Sequence, residues 1–229
     1  MMNQTQLKEV ETLFGLGAHL GHRKSKLHPK AKKNVYQIIN GTTVIDLTAT
    51  VEQIEAAKKF MKQAGTDGKK IMVVGTKKTA APFVKEYCTA NKVAFISTKW
   101  LPGLLTNFKT IMNNVKKLKD NNEEIASGQS SLVKHEITKM QKDTVKLERL
   151  YGGIAELTER PDILFVIDTK KEKNAVKEAM TFKIPMVAIV DTNSDPECIQ
   201  YPIVANDDAK EVVEYLVEQV LGEYIKAAK

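Results

Sequence analysis

Three short, almost wholly apolar runs constrain the fold of this chain more than any other feature: Ile71–Val74, Ile163–Ile167 and Met186–Val190. Each is only four or five residues long, which favours a strand over a helix. Strands that are apolar on both faces are typical of parallel sheets covered by helices on both sides. Residues 93–96 repeat the pattern, so the chain is predicted to build one buried parallel sheet.

Segments of helical periodicity separate these runs. One begins after Thr48 or Thr50, either of which could cap it; another begins near Thr79, a third follows Asp168, and the last begins near Asp207. A short helix over 5–15 and strands over 35–39 and 43–45 come first. Strands that alternate with helices imply right-handed crossovers, and the predicted fold class is therefore an α/β three-layer αβα sandwich.

The stretch WLPGLLTNF at 100–108 interrupts this alternation. Thr106 and Asn107 are good helix N-cap residues, so a new helix is predicted to begin here. Two apolar stripes follow on either side of a loop near 127–131, and together they predict an antiparallel pair of helices, each about 30 Å long. The stripes comprise Phe108, Ile111, Met112, Val115 and Leu118, then Leu132, Ile137, Met140, Val145, Leu147 and Leu150. The predicted domains are 1–102 with 154–229, and the inserted hairpin 103–153.

The charge of the chain is unevenly distributed. Its formal net charge is +7, but residues 191–229 hold nine acids and three bases, which leaves a net charge of +13 in residues 1–190. Such asymmetry indicates a basic face that meets a polyanion. No run of about 18 apolar residues and no apolar N-terminal core occurs, so neither a membrane span nor secretion is predicted. Two distant cysteines, Cys88 and Cys198, fit a reducing compartment.

The strongest functional signal is a basic segment without acids. No Asp or Glu occurs between Glu11 and Asp46, and glycines and Pro29 predict an irregular conformation for its first half. An ordinary solvated face mixes charges of both signs, so contact with a phosphate backbone is the favoured interpretation. The residues concerned are His19, His22, Arg23, Lys24, Lys26, His28, Lys30, Lys32 and Lys33. We call residues 19–33 the basic segment.

Other chemistry has weaker support. The turn at 75–79, GTKKT, follows a strand and precedes a helix, but it lacks the spacing of a P-loop. Lys77 and Lys78 could contact a mononucleotide, a nucleic-acid phosphate or solvent. Asp168 and Asp191 stand at strand ends, where a cap is favoured over a catalytic carboxylate or a magnesium ligand. Zinc held by the three histidines of the basic segment is possible but unsupported, because no fourth ligand is visible.

Several motifs, in this order and spacing, resemble the bacterial-type ribosomal protein S2 family of the small ribosomal subunit over nearly the whole chain. They are GAHLGH (17–22), VIDL (44–47), VGTK (74–77), WLPGLLTNF (100–108), GGI (152–154), PD (161–162), IP (184–185), DTN (191–193), DP (195–196) and ANDDA (205–209). The resemblance implies a flavodoxin-like parallel sheet with an inserted helical coiled-coil hairpin. Where the family usually has two glycines after the Trp, this chain has Pro102 and Gly103.

The resemblance further implies a structural, RNA-binding role without catalysis and without a cofactor. Members of the family lie between the head and the body of the small subunit, contact its rRNA and help dock ribosomal protein S1 and other small-subunit proteins. Neither a membrane nor a small-molecule substrate is implied, and the expected location is the cytoplasmic ribosome, with an organellar ribosome left open. Beyond the basic segment, the candidate rRNA contacts are Lys77, Lys78, Lys99, Thr106, Asn107 and Lys109.

Two other functions compete with this interpretation. The first is a nucleotide-binding α/β enzyme that uses the turn at Gly75, Thr76, Lys77 and Lys78. The second is an adaptor that docks proteins but does not touch rRNA. Binding of a nucleotide with magnesium would favour the first, and the absence of an rRNA footprint would favour the second.

Overall fold

A parallel sheet of five strands forms the centre of the computed structural model, which describes residues 3–127 and 134–228. In chain order the strands are β1 (Leu20–Arg23), β2 (Val35–Ile39), β3 (Thr42–Ile45), β4 (Ile71–Val74), β5 (Ala94–Ile96), β6 (Ile163–Ile167), β7 (Met186–Val190) and β8 (Tyr201–Val204). The parallel sheet has the order β5-β4-β6-β7-β8. Counted along the chain, this is the flavodoxin-like order 2-1-3-4-5.

Helices cover both faces of this sheet. They are α1 (Gln4–Leu16), α2 (Leu47–Thr66), α3 (Ala81–Ala90), α4 (Phe108–Ser127), α5 (Lys134–Tyr151), α6 (Lys173–Thr181) and α7 (Lys210–Ala227). Ile71 and Val73 belong to one core with α1, α2, α3 and α7, whereas Met72 and Val74 belong to the other with α6 and the first half of α4. The predicted three-layer sandwich is therefore confirmed. None of these helices combines the length and the apolar character that a membrane span needs.

The basic segment is more regular than predicted. Residues 20–23 form β1, which pairs with β3 and so joins β2 in a small antiparallel sheet. Short 3-10 helices follow at Lys24–Lys26 and Pro29–Asn34. The prediction of an irregular segment was wrong because β1 is held by pairing with a distant strand, and it has no apolar alternation of its own to reveal it.

Two local predictions also need correction. Neither Thr48 nor Thr50 caps α2: the cap is Asp46, whose carboxylate accepts a hydrogen bond from the Thr48 backbone N–H at 2.9 Å. The hydroxyl of Thr50 instead donates to the carbonyl of Val204. Strand β8 was not predicted, because Pro202 interrupts its pattern; it lies at the edge of the sheet, where proline is tolerated.

Helices α4 and α5 pack against each other, and the first half of α4 belongs to the same buried cluster as one face of the sheet. Val115 and Leu118 of α4 are buried as predicted. Val145 of α5 is 70% exposed, so its place in the predicted stripe was wrong; its neighbour Thr144 is buried and accepts a hydrogen bond from Asn121 at 3.1 Å. Coiled-coil packing and a separate hairpin domain remain predictions. Leu132 and loop residues 128–131 lie outside the described part of the chain.

Candidate nucleic-acid interface

The loop after β7 holds the basic segment in place through Thr192. The hydroxyl of Thr192 accepts the backbone N–H of His22 at 3.0 Å, and its carbonyl accepts the backbone N–H of His28 at 2.8 Å. Thr43 of β3 donates its hydroxyl to the His22 carbonyl at 2.7 Å. Strand β1 and the following turns are thus fixed to the carboxyl edge of the parallel sheet.

Gly21 permits this close approach. A Cβ at this position would lie 2.5 Å from the Thr43 hydroxyl and 2.8 Å from the Thr192 methyl group. We expect Gly21→Ala to lower the free energy of unfolding by about 2 kcal/mol, because both neighbours are buried and must move. Urea unfolding measures the change. Gly15→Ala is the matched control: no atom lies within 4 Å of its added Cβ, and we expect it to be neutral or stabilising. Equal effects of the two substitutions would contradict the close-packing role of Gly21.

Two of the three histidines of the basic segment, His19 and His22, make local contacts through their rings. The His22 ring contacts the Asp191 carboxylate at 2.8 Å through Nδ1 and the Asn193 side chain at 2.9 Å through Nε2. His19 stacks on Phe14 with 4.2 Å between ring centroids, and burial lowers the pKa of the His19 ring. The side chain of His28 is partly buried. Their predicted contact with phosphate remains a prediction, and the cations are stronger candidates.

Those cations fall into two groups. Lys30 and Lys33 form ion pairs with Asp195 and Glu197 of the loop after β7. The other cations are exposed, and within the described part of the chain they form no ion pair: Arg23, Lys24, Lys26 and Lys32. This second group is the free cationic surface, and we use that name for these four residues.

Lys77 faces inward and is neutralised within the chain. Its ammonium donates to Asp207, contacts Asp208 at 2.7 Å and lies 3.5 Å from Asp168. Burial of Lys77 opposes its charge, but these carboxylates outweigh that effect and raise its pKa. Burial and the charge of Asp168 raise the pKa of Asp207 to about 7. Lys78 is exposed, so of the two predicted lysines it is the one open to a phosphate.

These ion pairs fill the crevice where a nucleotide would bind. In open parallel sheets that crevice lies beyond the carboxyl ends of the strands, where the strand order reverses. Here β4 and β6 flank it, and the side chains of Lys77, Asp168 and Glu172 occupy it, with Thr76 donating its hydroxyl to Glu172. Asp168 also accepts the Lys171 backbone N–H at 3.0 Å, as expected of a cap. The acidic lining disfavours a phosphate group.

Among residues 3–127 and 134–228, one group of side chains is close enough together to hold a metal ion. It consists of His22, Asp191 and Asp208. It contains neither His19 nor His28, so the three-histidine set suggested by the sequence does not come together. Asp208 also pairs with Lys77, which already supplies positive charge at this place.

Glu178 of α6 anchors the WLPGLLTNF stretch. Its carboxylate accepts hydrogen bonds from the Trp100 indole at 3.0 Å, from the backbone N–H groups of Gly103 and Leu105 at 2.9 and 3.0 Å, and from Thr106 at 3.2 Å. Gly103 has φ +91°, a conformation that favours glycine. Trp100 is buried. Nothing in the sequence singled out Glu178, because its partners lie more than 70 residues away.

The remaining predicted contacts surround this anchor. Asn107 precedes α4, and its carbonyl accepts the Thr110 and Ile111 N–H groups. Its side-chain oxygen accepts the Thr110 hydroxyl at 2.8 Å, so capping of a backbone N–H by this side chain remains a prediction. The hydroxyl of Thr106 donates a hydrogen bond to the Glu178 carboxylate. Lys99 and Lys109 are exposed. Lys99 follows β5 and Lys78 follows β4, so both lie toward the carboxyl edge on which the basic segment docks.

An apolar groove of about 650 Å³ lies between α1 and the small antiparallel sheet. Its lining includes Phe14, Leu20, Tyr36 and Ile39, all of which are exposed large apolar residues. Exposed apolar patches of this kind mark sites of protein interaction. No sequence pattern predicted this groove, because its walls come from separate elements.

Comparison with known proteins supports one family. The family model described as Ribosomal protein S2 matches residues 13–227. The chain is also similar to the small ribosomal subunit protein uS2 of Coprothermobacter proteolyticus, with 38% identity over 212 residues. That alignment covers 92% of this chain and 79% of the relative.

Proposed function

This chain belongs to the ribosomal protein S2 family, and we propose that it binds small-subunit rRNA between the head and the body of the small ribosomal subunit. Membership makes it a structural component of that subunit and not an enzyme. Ribosomal RNA and neighbouring ribosomal proteins are therefore its partner classes. We infer that it acts on the cytoplasmic ribosome, with an organellar ribosome as the alternative.

The free cationic surface is the observation that carries the rRNA proposal. Arg23 is the last residue of β1, and Lys24 and Lys26 lie in the 3-10 helix that follows it. All three are exposed, and the contacts of Thr192 with His22 and His28 keep their segment in position. Exposed cations that form no internal ion pair can neutralise phosphates and release counter-ions, which favours binding to RNA. Lys78, Lys99 and Lys109 extend the proposed contact toward α4.

The apolar groove supports the docking part of the proposal. We infer that a neighbouring ribosomal protein, with S1 as the leading candidate, covers Phe14, Leu20, Tyr36 and Ile39. Aromatic and aliphatic side chains of this kind are typical of the buried centre of protein interfaces. The groove and the basic segment meet at His19 and Leu20, but none of the four residues of the free cationic surface lines the groove. Substitutions of those cations can therefore test the rRNA contact without changing the groove.

Sedimentation of the tagged protein with small subunits that have been depleted of their own copy tests the proposed function. We expect the protein to sediment with the subunits at low salt and to dissociate progressively as the salt concentration rises, because phosphate contacts weaken in this way. Small subunits that already contain their own copy serve as the control, since their site is occupied. Equal binding to filled and depleted subunits, or no binding to either, would contradict the proposal.

A further inference from the structure

Two lysines of the basic segment are held by acids that come from a distant part of the chain. In the 3-10 helix Pro29–Asn34, the Lys30 ammonium lies 2.9 Å from Asp195 Oδ2 and 3.4 Å from Glu197 Oε2. The Lys33 ammonium lies 3.2 Å from Glu197 Oε1. Both acids belong to the loop between β7 and β8. Two carboxylates therefore face two lysines across one contact.

The acids are held in position before any RNA arrives. The second oxygen of Asp195 accepts the Glu197 backbone N–H at 2.9 Å, which caps the short helix Pro196–Cys198. The same loop is tied to the basic segment by the His28 N–H, which donates to the Thr192 carbonyl at 2.8 Å. The pairing is thus part of a built contact between two segments, and it does not depend on two long side chains alone.

The acids are ionised at neutral pH. Burial alone would raise the pKa of Asp195, but the hydrogen bonds from Lys30 and from the Glu197 N–H outweigh it and lower that pKa. Hydrogen bonds from Lys33 and Lys30 lower the pKa of Glu197. Each acid therefore presents a full negative charge beside the lysine that it contacts.

We propose that Asp195 and Glu197 are specificity-determining residues of the RNA-binding surface, which hold Lys30 and Lys33 as internal ion pairs and leave the free cationic surface to contact phosphate. The inference rests on the proposed rRNA binding. A phosphate must displace or approach a carboxylate to reach Lys30 or Lys33, and this repulsion disfavours RNA whose phosphates are not matched to the other cations.

The double substitution Asp195→Asn with Glu197→Gln tests this inference. Both changes keep hydrogen-bonding groups and remove the charges, which frees both lysines for phosphate. We expect the slope of log K against log salt for a random-sequence RNA to steepen by about 1.4 to 1.8, since each added phosphate contact contributes about 0.7 to 0.9. Glu52→Gln with Glu86→Gln is the matched control, because these exposed acids remove the same charge elsewhere.

The double substitution Lys30→Ala with Lys33→Ala, made both in the natural protein and in the D195N and E197Q background, completes a double-mutant cycle. In the natural background we expect this pair to change the salt slope by less than about 0.5, whereas in the background that carries D195N and E197Q it should remove the whole gain of about 1.4 to 1.8. Thermal unfolding of each variant checks that the fold is kept. Equal effects of the lysine pair in both backgrounds, or a slope unchanged by D195N with E197Q, would overturn the inference.

Failure of this inference can be told apart from failure of the proposed function. Substitution of Arg23, Lys24 and Lys26 by alanine in the same assay reports on the free cationic surface alone. If that variant shows a reduced salt slope while the substitution of Lys30 and Lys33 has the same effect in both backgrounds, only the role of Asp195 and Glu197 is wrong. If neither set of substitutions changes the slope, the proposed RNA-binding surface is wrong as well.

Discussion

Replacement of Glu178 with alanine is expected to lower the free energy of unfolding by about 4 kcal/mol, because it leaves buried donors without an acceptor. The Trp100 indole and the Leu105 backbone N–H, both of buried residues, bond to this carboxylate at 3.0 Å. Water can reach Gly103 and Thr106 more easily, so their loss adds less. Urea unfolding followed by tryptophan fluorescence measures the change, since Trp100 is the one tryptophan in the chain.

Two variants sharpen this prediction. Glu178→Gln keeps one carbonyl oxygen but loses the charge, and we expect about half the effect of alanine because hydrogen bonds to charged groups are roughly twice as strong. Glu86→Ala removes an exposed helical glutamate and should change stability by less than about 0.5 kcal/mol. Equal stability of the Glu178→Ala and Glu86→Ala variants would refute the anchoring role.

The stabilisation of the fold by Glu178 is expected to depend on pH. Burial alone would raise the pKa of Glu178, but its hydrogen bonds from Trp100, Gly103, Leu105 and Thr106 outweigh burial and lower it. A carboxylate whose pKa is lower in the folded state stabilises the fold above its unfolded pKa, and this stabilisation is lost as the pH falls through the folded pKa. The difference between the natural protein and Glu178→Gln should therefore be largest above about pH 5 and shrink below about pH 4.

The buried sheet could be predicted because its strands carry their own signal. Ile163–Ile167 and Met186–Val190 are apolar on both faces, and only a sheet covered on both sides satisfies them. Strands β1 and β8 lack that signal. Each is held by backbone pairing with a neighbour whose position depends on the whole fold.

The position of the candidate interface could be predicted from the sequence, but which of its cations are free of internal ion pairs could not. The absence of acids between Glu11 and Asp46 indicated a basic segment. Which of its cations are free depends on Asp195 and Glu197, which the fold brings beside Lys30 and Lys33 from more than 160 residues away. Likewise, Lys77 stands in a turn that could suit a phosphate, but the fold surrounds it with carboxylates.

Removal of three cations from the free cationic surface should have a large effect on RNA binding. In the variant with Arg23, Lys24 and Lys26 replaced by alanine, we expect affinity for small-subunit rRNA to fall by on the order of tenfold or more, because phosphate contacts dominate binding. These side chains are exposed and form no ion pair within residues 3–127 and 134–228, so the fold should be unchanged. Circular dichroism and the unfolding midpoint verify this.

The matched control removes equal charge from helices α1 and α2. Lys8 of α1 and Lys59 and Lys62 of α2 are exposed, and no rRNA contact is predicted for them. Replacing these three residues with alanine lowers the net charge by the same amount. Any effect shared by both variants reports on net charge alone, and the difference between them reports on the surface.

The salt dependence of rRNA binding by these two variants tests the central claim most directly. With the natural protein as reference, we predict that loss of Arg23, Lys24 and Lys26 reduces the slope of log K against log salt by about 2 to 3, at about 0.7 to 0.9 for each lost phosphate contact. The control variant should leave the slope within about 0.5 of the natural value. Equal slopes for the natural protein and both variants would contradict the assignment of rRNA binding to the basic segment.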